Sequence, residues 1–417
     1  MVISSIVPYF FGIMHHVAPH DNFTIVKNLD EVTVKCLEQI DSDQAFWVAD
    51  FNRVRHSLSL WEENLSTIKI HYAMKCCDEP NLLTFLADRG TGFDCASKNE
   101  IERILARGVD ANRIVFAHPI KSIAAIKYAK EVGVKRLVFD TENELRKILR
   151  YFPDAEVFLR VKPKFTNAKI QLSNKFGADP KEVTSLLSLC SELGANFIGF
   201  SFHVGSLCDD MTTFRVALEY IADLKSKAES LGLNVCFVDI GGGFLPPSAP
   251  AKVSFTQIAE TINTAINELL GDEEIEIIAE PGRFIASDYM DIHMPVISVK
   301  THNEENGEIE QSVFVPDGIY GAFNALNYDH AEPHFEIRTE GAYEGSEDSL
   351  ERIKTLLWGQ TCDSADLVYE EMKWPKLEVG DLLSISKFGA YTYSPTSFFN
   401  GFPHHKVFCI NMEDDEF

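Results

Sequence analysis

Short apolar runs and longer stretches with helical spacing alternate along the chain as far as about residue 285. The runs fall at 67–75, 92–96, 114–118, 136–140, 156–162, 197–203, 235–240 and 275–280. They are rich in β-branched and aromatic residues and end at polar or turn-forming ones, which predicts buried strands. A period near 3.6 predicts helices over 99–107, 120–132, 142–151, 180–193, 213–231 and 255–270. Ahead of them, 45–50 reads as a strand and 51–64 as a helix. Thr141 precedes one helix and Ser97 stands three residues before Glu100, both suited to capping. Gly108, Gly133 and Gly194 fall where helices should stop.

Strand and helix in alternation imply parallel strands with right-handed crossovers. Eight repeats in roughly 220 residues match a (β/α)8, TIM-like barrel. A doubly wound open sheet competes, but the Gly-x-Gly-x-x-Gly expected after its first strand is missing. Beyond about residue 286 the rhythm changes: 296–301 and 311–315 are short β-like runs, and polar acidic stretches cover 302–310 and 338–351. The expected architecture is α/β, with the barrel over 46–285. A β-sandwich or β-barrel domain follows over 286–417, completed by residues 1–45. The tail, 411–417, is expected to fray.

In such a barrel the reacting groups gather where strands end. Those ends carry Lys75, Asp94, His118, Asp140, Arg160, His203, Gly241-Gly242-Gly243 and Glu280-Pro281-Gly282-Arg283. Each alone fits a structural role; eight on one rim point to chemistry. A lysine closing an apolar strand is expected in a low-dielectric site, where its amine is a nucleophile suited to a Schiff base with a carbonyl or pyridoxal phosphate. The three glycines can turn successive N–H groups toward an anion, and Arg283 can grip a phosphate. Glu280 suits a pyridine nitrogen, His203 the face of a ring, and Ser206 a phosphate. Farther on, Trp358-Gly359-Gln360-Thr361-Cys362-Asp363 offers a thiol beside a carboxylate.

Composition narrows the partners. Asp and Glu number 63 against 38 Lys and Arg, a formal net charge of -25. Such a field repels nucleic acid and anionic membranes and suits a small cationic substrate. The nine cysteines show no Cys-x-x-Cys pair and no zinc spacing, which suggests free thiols and a cytoplasmic protein. The apolar start lacks the basic residues of a signal peptide and is too short to span a bilayer.

Together these segments resemble eukaryotic ornithine decarboxylases, pyridoxal phosphate enzymes of the alanine-racemase-like fold. The resemblance runs from about Phe46 to Phe402. It rests on Tyr72-Ala73-Met74-Lys75-Cys76, Gly92-Phe93-Asp94-Cys95-Ala96-Ser97-Lys98, Phe202-His203-Val204-Gly205-Ser206, Asp239-Ile240-Gly241-Gly242-Gly243, Glu280-Pro281-Gly282-Arg283, Asp317-Gly318-Ile319-Tyr320-Gly321, Tyr328-Asp329-His330, the Cys362 segment and Gly389-Ala390-Tyr391-Thr392. It implies Lys75 as the Schiff-base lysine, His203 stacked on the ring and Glu280 on the ring nitrogen. Ser206, Gly241, Gly242, Gly243, Arg283 and Tyr391 would form the phosphate site, with Pro281 and Gly282 in the same turn and Asp94 and Arg160 near the cofactor. Cys362 would protonate the product carbon, while Asp329 and Asp363, with Tyr328, would hold the substrate's distal ammonium. A head-to-tail homodimer with shared active sites is implied. Departures include Cys77, His118-Pro119-Ile120, Leu207 and the segment after Arg160. Lysine or arginine decarboxylation, or a catalytically inactive antizyme-inhibitor-like binding protein, are the competing readings. Sensitivity to antizyme does not follow from these residues.

Overall fold

The computed structural model describes residues 23–26, 28–163, 165–170, 175–271, 274–303, 309–339 and 351–413. The apolar start, most of both acidic stretches and the last four residues lie outside them. The chain divides into two compact units: one runs to Ala49 and resumes at Met290–Ile410, and the other is Asp50–Tyr289 with the residues from Asn411 onward.

In the N-terminal segment are β1 (Phe23–Ile25), α1 (Glu31–Leu37) and β2 (Phe46–Asp50). The Asp50–Tyr289 unit then runs α2 (Phe51–Leu65), β3 (Lys69–Ala73), α3 (Pro80–Asp88), β4 (Gly92–Cys95), α4 (Lys98–Leu105), β5 (Ile114–Phe116), α5 (Ile123–Val132), β6 (Arg136–Phe139), α6 (Glu142–Tyr151), β7 (Glu156–Val161), α7 (Pro180–Glu192), β8 (Phe197–Phe202), α8 (Met211–Ser230), β9 (Phe237–Asp239), α9 (Phe255–Leu269), β10 (Glu276–Ala279) and α10 (Gly282–Ala286). Strands β3 to β10 pair in parallel, in chain order, and β10 closes on β3, giving the expected eight-stranded barrel.

The helices form for local reasons. On α6, Leu145 and Ile148 are buried, while Glu142 and Arg146 pair at 2.8 Å on the outer face. Thr141 Oγ1 accepts from the Glu144 N–H at 3.3 Å, and Ser97 Oγ from that of Glu100 at 3.2 Å. Gly133 ends α5 at φ 82°, a backbone that costs a residue without Cβ nothing. Among the described residues four helices escape the periodicity, the five-residue α10 and Asn324–Tyr328 among them. Pro80–Asp88 is opened by Glu79, whose carboxylate accepts from the Leu82 N–H at 2.8 Å. Glu31–Leu37 is capped by Asp30.

The inner face of the barrel has three tiers, because side chains alternate with period two. On β6 the inward series is Arg136, Val138, Asp140; on β7, Glu156, Phe158, Arg160; on β10, Glu276, Ile278, Glu280. The middle tier is sealed by Val115, Val138, Phe158, Ile198, Phe237 and Ile278 in one buried cluster. Burial of each such side chain contributes about 1.5–3 kcal/mol. Below it, Glu276 binds Arg136 at 2.6 Å and Lys69 at 2.9 Å. Above it lie the chemically active strand ends.

The other unit continues with β11 (Met290–Pro295), β12 (Ser298–Asn303), β13 (Ile309–Phe314), α11 (Asn324–Tyr328), β14 (Phe335–Arg338), β15 (Arg352–Trp358), β16 (Leu367–Pro375), β17 (Leu382–Ile385) and β18 (Lys406–Ile410). A six-stranded sheet runs β1-β14-β17-β11-β2-β18 and a four-stranded sheet β12-β13-β15-β16. They meet where Phe335 of β14 packs edge-on against Trp374 of β16, ring centroids 4.9 Å apart. The tail corrects one expectation: Arg55 donates to the Asn411 and Met412 carbonyls at 2.6 and 3.1 Å, so those two residues are held. Among the described residues no helix is long and apolar enough to cross a membrane.

Candidate active site

Twelve of the anticipated residues lie on the rim of the barrel. Lys75 stands two residues past β3, after a turn closed by the Cys76 N–H on the Ala73 carbonyl at 3.0 Å. That turn lifts it out of the wall. Its side chain is 44% exposed, so it is not the desolvated lysine expected, and it is ion-paired with Asp94 Oδ2. Asp94, on β4, is 2% exposed, and its Oδ1 is buried with no hydrogen bond.

His203 follows β8. Its Nδ1 accepts from the Gly205 N–H at 3.0 Å, which leaves any ring proton on Nε2. Burial, then Arg160, then Lys75, holds this imidazole well below its ordinary pKa, so it is neutral. Arg160 itself lies over the Phe176 ring at 5.5 Å. Nearby, Asp140 accepts from the Gly177 N–H at 2.9 Å and is pushed up by burial.

The glycine turn after β9 is tightly packed from behind. A Cβ on Gly241, at φ +65°, would lie 2.4 Å from the Phe202 carbonyl, and one on Gly242 would lie 2.7 Å from that of Glu280. Side chains are thus excluded by the neighbouring strand ends. The Gly242 and Gly243 N–H groups meet no acceptor among the described residues. Arg283, in the Glu280-Pro281-Gly282-Arg283 turn, donates from Nε to Ser206 Oγ at 3.0 Å. Free amides, a hydroxyl and a guanidinium make a set of donors suited to an anion.

Behind this rim is a residue the sequence reading passed over. Asp239 lies inward on β9, two residues after Phe237, and only that parity could have flagged it. It is 2% exposed, accepts from the Gly241 N–H at 2.8 Å, and is hydrogen-bonded to the Glu280 carboxyl. Burial is the main cause that pushes Asp239 up to about 7 and Glu280 well above the carboxylate range; Asp239 is the larger neighbouring influence on Glu280. Two carboxyls bonded to each other must share a proton.

The remaining five anticipated residues belong to the β unit. Tyr328 closes α11 and is 81% exposed, and Asp329 is its C-cap. Tyr391 adopts φ 57°. Cys362 is exposed, and its N–H donates to Asn400 Oδ1 at 2.8 Å. The next residue, Asp363, accepts from the Tyr320 hydroxyl and from the Ala365 N–H. Those bonds hold its carboxyl below the usual range, Tyr320 contributing most. The Tyr320 ring stacks on Phe399 at 4.4 Å. Asn400 and Phe399 carry no motif and were not anticipated.

Comparison with known proteins agrees with this chemistry. The family described as pyridoxal-dependent decarboxylase, pyridoxal binding domain, matches residues 51–287. Ornithine decarboxylase of Caenorhabditis elegans is 37% identical over 371 residues, covering 87% of this chain and 86% of the relative. Antizyme inhibitor 2 of Xenopus laevis is 36% identical over 391 residues, covering 92% and 84%. The crystal structure of the Paramecium bursaria Chlorella virus arginine decarboxylase superposes with a TM-score of 0.82 at 31% identity, covering 92% of this chain and all of that one. With the barrel, the lysine on its rim and a match across both units, the chain belongs to the pyridoxal-dependent decarboxylases.

Proposed function

We propose that this chain releases CO2 from L-ornithine, with pyridoxal phosphate as cofactor, and leaves putrescine. The observation that carries the reading is the sequence of strand ends around one rim: an amine at Lys75, a buried acid at Glu280, and unengaged amides at Gly242 and Gly243 beside Arg283. This set fits the cofactor. The amides, Ser206, Arg283 and Gly241 would take the phosphate, with Tyr391 completing that end. Lys75 would hold the aldehyde, and neutral His203 would lie against the ring. Glu280 would face the ring nitrogen, in the turn shaped by Pro281 and Gly282. When bound, pyridoxal phosphate supplies the sink for the electron pair left as CO2 departs.

The protein's own groups set the rest. With the cofactor bound, Glu280 would keep a proton on the ring nitrogen, and Asp239 would share the charge behind it. Asp94 holds the Lys75 ammonium at the rim, where it would meet the cofactor's aldehyde, and Arg160 balances the carboxylates of the rim. Cys362 delivers a proton to the substrate's α-carbon. Asp363, fixed by Tyr320, and Asp329, beside Tyr328, hold the distal ammonium. One methylene separates ornithine from lysine, worth about 1–3 kcal/mol, so the placement of those carboxylates decides preference. The barrel unit would be the cofactor-binding domain, and a homodimer would share active sites between copies. Nine free cysteines among the described residues support a reducing, cytoplasmic setting.

The identity to antizyme inhibitor 2 favours a second reading, a non-catalytic binding protein. Retention of Lys75, Asp94, Cys362 and Asp363 speaks for the enzyme. Borohydride fixation of pyridoxal phosphate followed by peptide mapping tests the assignment. Label on Lys75 is the expected result; no label, or label elsewhere, would overturn it.

A further inference from the structure

The barrel has a second opening, at the end away from the proposed chemistry. A cavity of about 890 Å³ lies among the starts of β3 and β4, the residue before β5, and the C-terminal half of α2. Its size is that of a small-molecule site. One wall is apolar, formed by Leu58, Ile68 and Ile70.

The polar wall is short of acceptors. His71 on β3 pairs with Gly92 on β4, and Arg113 ends the turn that leads into β5, whose Ile114 pairs with Phe93. A Cβ at Gly92 would lie 2.6 Å from the His71 ring, so the imidazole leans over a strand with no side chain at that point. His71 is 4% exposed, and its ring nitrogens, beside the Lys69 backbone, make no hydrogen bond of good geometry. Arg113 spends one terminal nitrogen on the Ala87 and Thr91 carbonyls at 2.7 Å, while its Nε is buried and unpaired. No carboxylate among the described residues pairs with this guanidinium. Glu276, the acid of that wall, has one oxygen on Lys69 and the other on Arg136. Glu62 and Glu63 stand at the solvent edge, exposed.

Unpaired buried donors with every inner carboxylate engaged are the signature of a place that accepts negative charge. We propose that this cavity binds a small organic anion, a carboxylate or phosphate ester with an apolar body, its anionic head at Arg113 and His71 and its body against Leu58, Ile68 and Ile70. His71 lies on β3 two residues before its end at Ala73, and Lys75 follows in the turn beyond it. An occupant would therefore sit beneath the strand that carries the proposed lysine.

The test is calorimetric titration of the pyridoxal phosphate-loaded protein with phenyl phosphate, benzoate and benzylamine. Cofactor occupancy keeps the probes out of the proposed phosphate site. Either or both anions are expected to bind, saturably and with one site, and benzylamine is not. Arg113→Gln should weaken the anion at least tenfold. Because Arg113 also braces two carbonyls, Ser59→Trp serves as an independent variant. It fills the cavity from the exposed side of α2, and should abolish binding while leaving CO2 release unchanged. Failure of both anions to bind, equal binding by benzylamine, or undiminished binding to Ser59→Trp would each overturn the proposal.

Discussion

Asp239 and Glu280, on adjacent strands, join carboxyl to carboxyl behind the rim of the barrel, both of them buried. Burial raises the folded-state pKa of Asp239 from 3.8 to about 7. In the window between those values the folded chain holds a proton that the unfolded chain has lost. Stability from this group is therefore full below pH 4 and falls as pH rises toward 7. Asp239→Asn keeps a donor toward Glu280 but has nothing to titrate. Thermal melts of cofactor-free protein from pH 5 to 7.5 should fall less steeply for Asp239→Asn than for the parent. Identical slopes would remove the shared proton from the account.

The Cys362 loop is tied to Asn400 by a 2.8 Å bond from the Cys362 N–H. Asn400 holds φ 56°, a backbone that Asn tolerates better than most residues. Asn400→Ala should free the loop, while Asn400→Asp keeps the acceptor. Misplaced proton delivery shows as abortive transamination, so the ratio of aminoaldehyde to putrescine is the readout. It should rise about tenfold, or ~1.4 kcal/mol of discrimination, in Asn400→Ala and in Cys362→Ala. The ratio should stay near the parent value in Asn400→Asp.

Tyr320 positions the carboxylate of Asp363 through its hydroxyl and rests its ring on Phe399. Tyr320→Phe keeps the stack and removes the bond. The expected effect is a rise in KM for ornithine of about threefold to tenfold, with kcat changed less, because the carboxylate proposed to hold the distal ammonium loses its anchor. Steady-state kinetics separate the two. A fall in kcat at constant KM would place Asp363 elsewhere in the reaction.

Lys121 carries no proposed chemistry, yet its side chain is wholly buried. Its ammonium binds Glu144 at 3.1 Å and the His118 carbonyl at 2.9 Å. Burial depresses it to about 8, Glu144 being the chief opposing influence. Lys121→Met strands part of the Glu144 charge, although Lys147 remains within 2.5 Å of that carboxylate. A loss of about 3 kcal/mol, or roughly 6–12 °C in melting temperature, is expected. Lys121→Met combined with Glu144→Leu should recover much of it.

The barrel was legible because its strands are buried on both faces and read as continuous apolar runs, while its helices keep period and caps. Glu142–Tyr151 is bounded by Thr141 and coincides with its predicted range. The rim was legible for the same reason: a polar residue ending an apolar run stands out. Asp239 did not stand out, since an inward carboxylate inside a run looks like part of it. Lys75 was visible, but its exposure was not, because the turn after β3 depends on the Cys76 amide reaching back to Ala73. Asn400 and Phe399 act through tertiary contacts with Cys362 and Tyr320, some 40 and 80 residues away, which periodicity does not encode. The cavity beneath the barrel was equally hidden. It borders the His71 ring, which lies over Gly92 of the next strand, and Arg113 in the turn before β5, a juxtaposition made by strand pairing.

The central claim meets its most direct test in CO2 release from L-ornithine, L-lysine and L-arginine, measured side by side on the pyridoxal phosphate-loaded protein. Release should be fastest from ornithine, in step with putrescine. Lysine or arginine leading would contradict the substrate, and no release from any of the three would contradict the enzyme.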